Sequence, residues 1–565
     1  MLLSDAGESC TSGKYSDSET SLLIAPASFR RHLSVMWHGY IVPEVTQTNL
    51  EEKQALSRHA VVVGAGPGGL TAAALLAKAG LRVTVVERLP HVGGRTSTFG
   101  AQGFRFDHGP TFFHYPQVLE GILDGLGYDL WRELRLVQLD PHYRLVFGGG
   151  GEMLSTPNVE RMEKEIARVC PQDAGRLRQF LTDNRHKLEK FKPFLETSFD
   201  SWRDTIHPKM VQLLPVVKPW RCLDSELSRY FSDQRVRLAF SFQSKYLGMS
   251  PFECPSLFTI LAFLEYEYGV FHPIGGCGAV TVALARIARR LGAEIRLGEP
   301  VKQVLFEGRK AVGIRTERSE YKADAIVINA DFARAMNRMV PDGLRRRWKD
   351  RKLEKKTMSC SAFMMYLGVR GRYDRVAHHT ICVAKDYQRN MDEIGRQHRL
   401  SDDPSFYLQN ACVTDASLAP EGMSTLYVLV PVTHRSPHVS WEQEKLRYRN
   451  LVLKKLADVG IKDIESRIVY ERILTPDDWD GGFELHKGSV FGLAHSWSQM
   501  LHLRPRNRFE ELDSVYLVGG STHPGSGLPV IFESARISSR LLLNDLGIPI
   551  PWDQKLTAAA AVGVA

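Results

Sequence analysis

Residues His59 to Arg95 read HAVVVGAGPGGLTAAALLAKAGLRVTVVERLPHVGGR, and this stretch decides the fold. Ala60 to Val63 is a short apolar, β-branched run of the kind a buried parallel strand requires. Gly64, Gly66 and Gly69 follow as G-x-G-x-x-G at a strand-to-helix junction. The first glycine permits the tight turn, the second lets a pyrophosphate approach the backbone, and the third lets the helix pack on the sheet. A helix over 68–79 then opens with free N–H groups and the positive end of its dipole aimed at that phosphate. The second strand, 82–86, ends in Glu87, where a carboxylate can hold both ribose hydroxyls. Alone, the glycine triplet is a common chance match. Strand, turn, helix, second strand and terminal acid together specify a dinucleotide site.

With 565 residues the chain exceeds what one hydrophobic core supports, so two closely joined domains are expected. A hydrophobic content of 43% with 24% charged residues is that of a soluble globular protein. The net charge of +9 suits a solvated basic surface or attraction to anionic lipid headgroups. No zinc spacing or nucleic-acid motif accompanies it, which argues against a nucleic-acid partner. Eight scattered cysteines form no C-x-x-C pair. They point to reduced thiols in a cytoplasmic setting and away from a disulfide framework or a metal centre. The uncharged stretches 60–77 and 515–532 are rich in glycine and contain proline, so they fit cofactor motifs better than membrane spans. Residues 1–35 lack the apolar core of a signal peptide.

Along the chain, 1–57 reads as a disordered extension rich in Ser, Thr and Glu. The nucleotide domain opens over 58–157, where 148–151 reads as a hairpin turn. Residues 158–270 turn helical and aromatic. Within them, 211–220 suits core or a membrane interface, and 257–271 suits core or the wall of an apolar tunnel. Residues 271–345 return to strand-helix alternation, 346–500 form a second excursion, and 501–550 close the nucleotide domain ahead of a flexible tail, 551–565. A substrate domain assembled from the two excursions is the simplest account.

Gly93-Gly94-Arg95, continuing from the acid strand, resembles the second motif of the two-dinucleotide-binding-domain flavoproteins, such as amine oxidases and carotenoid desaturases. Residues 514–540, SVYLVGGSTHPGSGLPVIFESARISSR, closely resemble the C-terminal signature of bacterial-type phytoene desaturases and related carotenoid oxidoreductases. That signature is near G-A-G-T-H-P-G-A-G-I-P-G-V. The LDPHYR run ending at Arg144 and the 273–276 region fit the same family, so the resemblance spans roughly 58–548. Two departures stand out. Ser521 replaces the usual glycine, and Val530-Ile531-Phe532-Glu533 stands where the phytoene enzymes carry small residues.

The resemblance implies an α/β fold: a Rossmann-like FAD-binding domain with an inserted α+β substrate domain. It implies FAD as cofactor, with Arg95 beside its phosphates and flavin and the Val301 backbone on its adenine. The cofactor set is then Gly64, Gly66, Gly69, Glu87, Arg95, Val301 and Gly520. It also implies removal of hydrogens from a saturated link beside a polyene, a hydride going to flavin N5 and a proton leaving the adjacent carbon. The candidate helpers are Arg144, His523 and Glu533. His523 can equally be a loop-stabilising histidine, and Glu533 an acid complementing a helix dipole. A C30 or C40 polyene is almost insoluble, so a peripheral membrane association without a span is expected. Oxygen or a membrane quinone is the expected final electron acceptor. A carotenoid oxygenase or ketolase and an isoprenoid saturase remain alternatives within the family. A non-catalytic prenyl-lipid escort is the alternative outside enzymology, although such a binder has no need of the glycine turn, Glu87 and Arg95 together.

Overall fold

The computed structural model describes residues 58–205 and 208–552. The expected extension, 1–57, and nearly all of the expected tail, 551–565, lie outside the described residues.

The quoted stretch forms the strand His59–Val63, the helix Pro67–Lys78 and the strand Arg82–Val86. They belong to a five-stranded parallel sheet ordered Glu294–Arg296, Arg82–Val86, His59–Val63, Ala325–Ile328 and Val515–Leu517. These strands read as continuous apolar runs because both faces of the sheet are covered. Ala60, Val62, Val83, Val85 and Val327 face the helices Pro67–Lys78, Gly278–Arg290 and Leu528–Asp545. Val61, Val63, Ile326 and Leu517 face the opposite core with Phe332 and Met336 of the helix Phe332–Met339. Each buried Val or Ile side chain stabilises the fold by roughly 1.5–3 kcal/mol. In open α/β sheets ligands bind outside the carboxyl ends of the strands. Here those ends deliver Gly64, Glu87, Asn329 and Gly519 to one place.

A second, seven-stranded sheet is ordered Ile468–Leu474, Ser361–Arg370, Met423–Val432, Phe406–Gln409, His379–Val383, Tyr143–Phe147 and Glu152–Ser155. The helices Val159–Val169, Leu177–Leu195 and Thr259–Tyr268 belong to the first excursion. Met162, Phe180 and Phe263 pack from them against Leu145, Ile381 and Val383 of the sheet. The two excursions therefore share a core.

The hairpin Tyr143–Phe147 and Glu152–Ser155 turns where the sequence indicates and forms one edge of the seven-stranded sheet. Tyr143–Phe147 pairs in parallel with His379–Val383, so it joins strands far from it in sequence. Alternation along a strand reports which face is buried, not which strand lies beside it.

Among the described residues, no helix is long and apolar enough to cross a membrane.

Candidate functional site

The glycine turn is shaped by its neighbours. Gly64 has φ +97°, and a Cβ there would lie 2.3 Å from the Asn329 carbonyl oxygen. A Cβ on Gly66 would lie 2.9 Å from Asn329 Nδ2, and one on Gly69 would lie 2.1 Å from the Gly64 carbonyl oxygen. Asn329 Nδ2 itself donates to the Gly64 carbonyl at 3.3 Å. Gly66 is the N-cap of Pro67–Lys78 and offers no side-chain acceptor, so the first amides of that helix stay available to an anionic ligand. The Glu87 carboxylate accepts from the Ala65 N–H at 2.7 Å and the Leu89 N–H at 2.8 Å, which fixes it beside the turn.

One cavity of about 840 Å3 runs from this cradle to the seven-stranded sheet, where Met364, Ile381, Phe406 and Tyr427 line it. Gly64, Gly66, Glu87, Arg95, Val301 and Gly520 all line it. Gly69 does not; it packs the helix against the Gly64 carbonyl. Burial lowers the affinity of the Arg95 guanidinium for its proton, and Asp331 across the cavity opposes that shift. The second glycine motif meets the first, because a Cβ on Gly94 would lie only 3.8 Å from Gly66 Cα. The carboxyl ends of four strands, two glycine turns and a fixed carboxylate thus converge without side chains filling the cradle. This donor set fits a dinucleotide such as FAD.

The candidate helpers separate. His523 and Glu533 line the cavity, whereas Arg144 does not. Burial pushes the His523 imidazole down to about 4, so it is neutral near pH 7. The Glu533 carboxyl is raised by burial and opposed by Arg536, which holds it at 2.8 Å. Arg144 instead donates to Glu152 at 2.8 Å and to the Val459 carbonyl at 3.2 Å. This half-buried pair clasps the sheet edge and contributes about 1 kcal/mol or less. Arg144→Ala is therefore expected to leave the turnover rate within twofold of wild type; a loss beyond tenfold in steady-state kinetics would return Arg144 to the chemistry.

Three residues at the site carry no motif signal. Asn329 braces the glycine turn. Arg504, almost fully buried, donates to five backbone carbonyls, those of Leu493, Ala494, Gln499, Gly520 and Thr522. Its donors fasten the Gly520 loop to the segment before it. Its proton affinity falls to about 9 because burial is not offset by a carboxylate. His495 accepts the Ser526 N–H at Nε2, 3.0 Å away, and a Cβ on Gly525 would strike that nitrogen at 2.6 Å. The structure also accounts for Ser521. Its hydroxyl accepts the Leu493 N–H at 3.3 Å, tying the same two segments together.

The family model for flavin-containing amine oxidoreductases matches residues 67–543, and that for pyridine nucleotide-disulphide oxidoreductases matches 11–102. A 4,4'-diapophytoene desaturase (4,4'-diapolycopene-forming) of Methylomonas sp is 40% identical over 86% of this chain and 96% of its own. An all-trans-zeta-carotene desaturase of Myxococcus xanthus is 39% identical over 87% of this chain and 95% of its own. A lycopene-forming phytoene desaturase of Pseudescherichia vulneris is 33% identical over 86% and 99%. Among solved structures, a putrescine oxidase variant superposes with a TM-score of 0.55 at 17% identity, covering 87% of this chain and 99% of that one. It shows the shared fold.

Proposed function

The chain belongs to the flavin-containing amine oxidoreductase family, among its carotenoid desaturases, and from that premise we propose how it desaturates phytoene or a related C30 or C40 isoprenoid. It is an FAD-dependent oxidoreductase. The observation that carries the reading is the continuity of a single cavity, with the nucleotide cradle at one end and an apolar, aromatic wall at the other. FAD, held by the Gly64–Gly69 turn, Glu87 and Arg95, would supply the two-electron acceptor for the hydride.

The chain's own part is positioning and exclusion of water. Phe112, Tyr115, Phe242, Tyr246 and Tyr407 present aromatic rings to the cavity. Their π faces favour the allylic cation that develops as hydride leaves, and the polyene spreads that charge further. His523, neutral and buried, contributes shape and a ring stacked edge-on to Phe199 at 5.0 Å. An outside oxidant, oxygen or a membrane quinone, closes the cycle. Anaerobic addition of vesicle-borne phytoene or its C30 counterpart should bleach the visible flavin band; a band unchanged by either substrate would count against the reading.

Substrate entry follows from where apolar surface is exposed. Trp202, Leu214 and Trp220 are 58%, 44% and 69% exposed. Beside the latter two, Leu213 and Val217 turn inward and pack with Phe191, Leu257, Ile260 and Met500, which line the cavity. Residues 212–220 are thus core on one side and exposed on the other. We read this as the face that meets the bilayer and passes the polyene inward. Each protruding tryptophan contributes about 2 kcal/mol to interfacial binding. Trp202→Ser with Trp220→Ser should weaken co-sedimentation with anionic vesicles at least tenfold at unchanged FAD content; undiminished binding would rule out this face.

A further inference from the structure

Away from the cofactor cradle, the wall of the substrate cavity holds a buried polar cluster that an all-hydrocarbon substrate does not need. Glu265, on the helix Thr259–Tyr268, is fully buried. Its Oε2 accepts from the Tyr143 hydroxyl and Gln243 Nε2, both at 2.9 Å, and its Oε1 accepts from the Tyr246 hydroxyl at 2.9 Å. Among the described residues, no lysine or arginine forms an ion pair with it. His114, at the end of the strand Phe113–His114, lines the cavity while its Nε2 is buried, without a hydrogen-bond partner, 3.6 Å from Glu265 Oε1. The chain leads here directly from the cofactor end: Gly109 sits against the Arg95 carbonyl, and Thr111 and Phe112 continue along the cavity wall to His114. Five residues span at most about 18 Å.

Resting on the desaturase reading, we propose that His114, oriented by Glu265, is the base that takes the proton lost from the substrate during desaturation. One substrate C–H bond breaks with both electrons, which leave as hydride for the flavin. On the adjacent carbon a C–H bond breaks, its electron pair becomes the new π bond, and its proton passes to His114 Nδ1. The Nε2 proton then moves to Glu265. A contact of 3.6 Å is too long for a hydrogen bond in the free enzyme, and catalytic contacts of this kind tighten when substrate binds.

The direction of the relay follows from the two environments. Burial pushes the His114 imidazole down to about 3, with His142 adding to the shift. Burial pushes the Glu265 carboxyl up to about 7, against its donors Gln243, Tyr143 and Tyr246. A proton arriving at His114 therefore comes to rest on Glu265. The proton of an allylic cation is acidic enough that a weak imidazole suffices. The titratable groups packed around the pair are Tyr143, Tyr246, Tyr266, His142 and His379, and burial keeps all five neutral near pH 7. The account requires ionised Glu265, so flavin reduction should fall as pH drops through about 7.

The test is anaerobic flavin bleaching by vesicle-borne substrate across pH, in wild type, His114→Asn and Glu265→Gln. FAD content and melting temperature are measured on each protein. His114→Asn should bleach about 100-fold more slowly at unchanged FAD content. Glu265→Gln should lose the pH limb near 7 while keeping a residual, flat rate, which a purely structural carboxylate would not do. Should Glu265→Gln prove unstable, Glu265→Asp must shift the limb rather than erase it. Wild-type bleaching with an unimpaired His114→Asn, or a limb retained in Glu265→Gln, overturns the proposal. Absence of bleaching in wild type instead overturns the desaturase reading on which it rests.

Discussion

Gly66→Val is expected to yield folded protein carrying less than a tenth of the wild-type FAD. Gly66 has φ −73° at the helix N-cap, a conformation open to any residue, so the backbone itself tolerates the change. The space does not. A Cβ would fall 2.9 Å from Asn329 Nδ2, and the second glycine motif crosses within van der Waals reach. Two further methyl groups would occupy the cavity over the free amides at the start of Pro67–Lys78, where a pyrophosphate must approach. Gly64→Val provides the contrast. There φ is +97° and the Cβ would lie 2.3 Å from a backbone oxygen, so fold and cofactor binding should fail together. The visible flavin band per mole of protein, with circular dichroism for folding, separates the two. Full flavin content in Gly66→Val would remove the cradle from this turn.

Arg504→Met is expected to lower stability by about 3–5 kcal/mol and to release FAD from what folds. The guanidinium satisfies five buried carbonyls on two segments that are otherwise joined by single bonds, Leu493 N–H to the Ser521 hydroxyl and Ser526 N–H to His495. Each carbonyl left without a donor costs about 1–3 kcal/mol, and relaxation of the loop limits the total. Arg504→Lys should recover only part of the loss, since a compact ammonium offers three donors and cannot fork across Leu493, Gly520 and Thr522. Denaturant midpoints with FAD absorbance as a second probe read both effects. A midpoint within 0.5 kcal/mol of wild type, on the order of a surface substitution, would contradict this role.

The contrast between these two positions shows how far sequence reading reaches. Gly64, Gly66, Gly69 and Glu87 are legible because backbone geometry leaves a residue-type signature at short, fixed spacing. The strand His59–Val63, the helix Pro67–Lys78 and the strand Arg82–Val86 all lie within a residue of where the pattern places them. The C-terminal loop is legible for the same reason, and His523 and Glu533 come with it to the cavity. Arg504 is not, because its partners are main-chain oxygens, which carry no residue identity. Arg144 illustrates the converse. A motif places it in the family, yet its charge is spent on Glu152 at a sheet edge. His114 and Glu265 lie 151 positions apart and belong to different elements, so only the fold brings them together. The hairpin at Tyr143–Ser155 escapes assignment because parallel pairing with His379–Val383 leaves no mark on local alternation.

The measurement that tests the central claim most directly is the mass of the product. Purified holoprotein is given phytoene or its C30 counterpart in vesicles, with an electron acceptor, and the extracted pigment is weighed by mass spectrometry alongside its absorption. Desaturation by this cavity predicts products lighter by two hydrogens per step, without oxygen, and red-shifted in proportion. A product heavier by oxygen, or one gaining hydrogen, would contradict it.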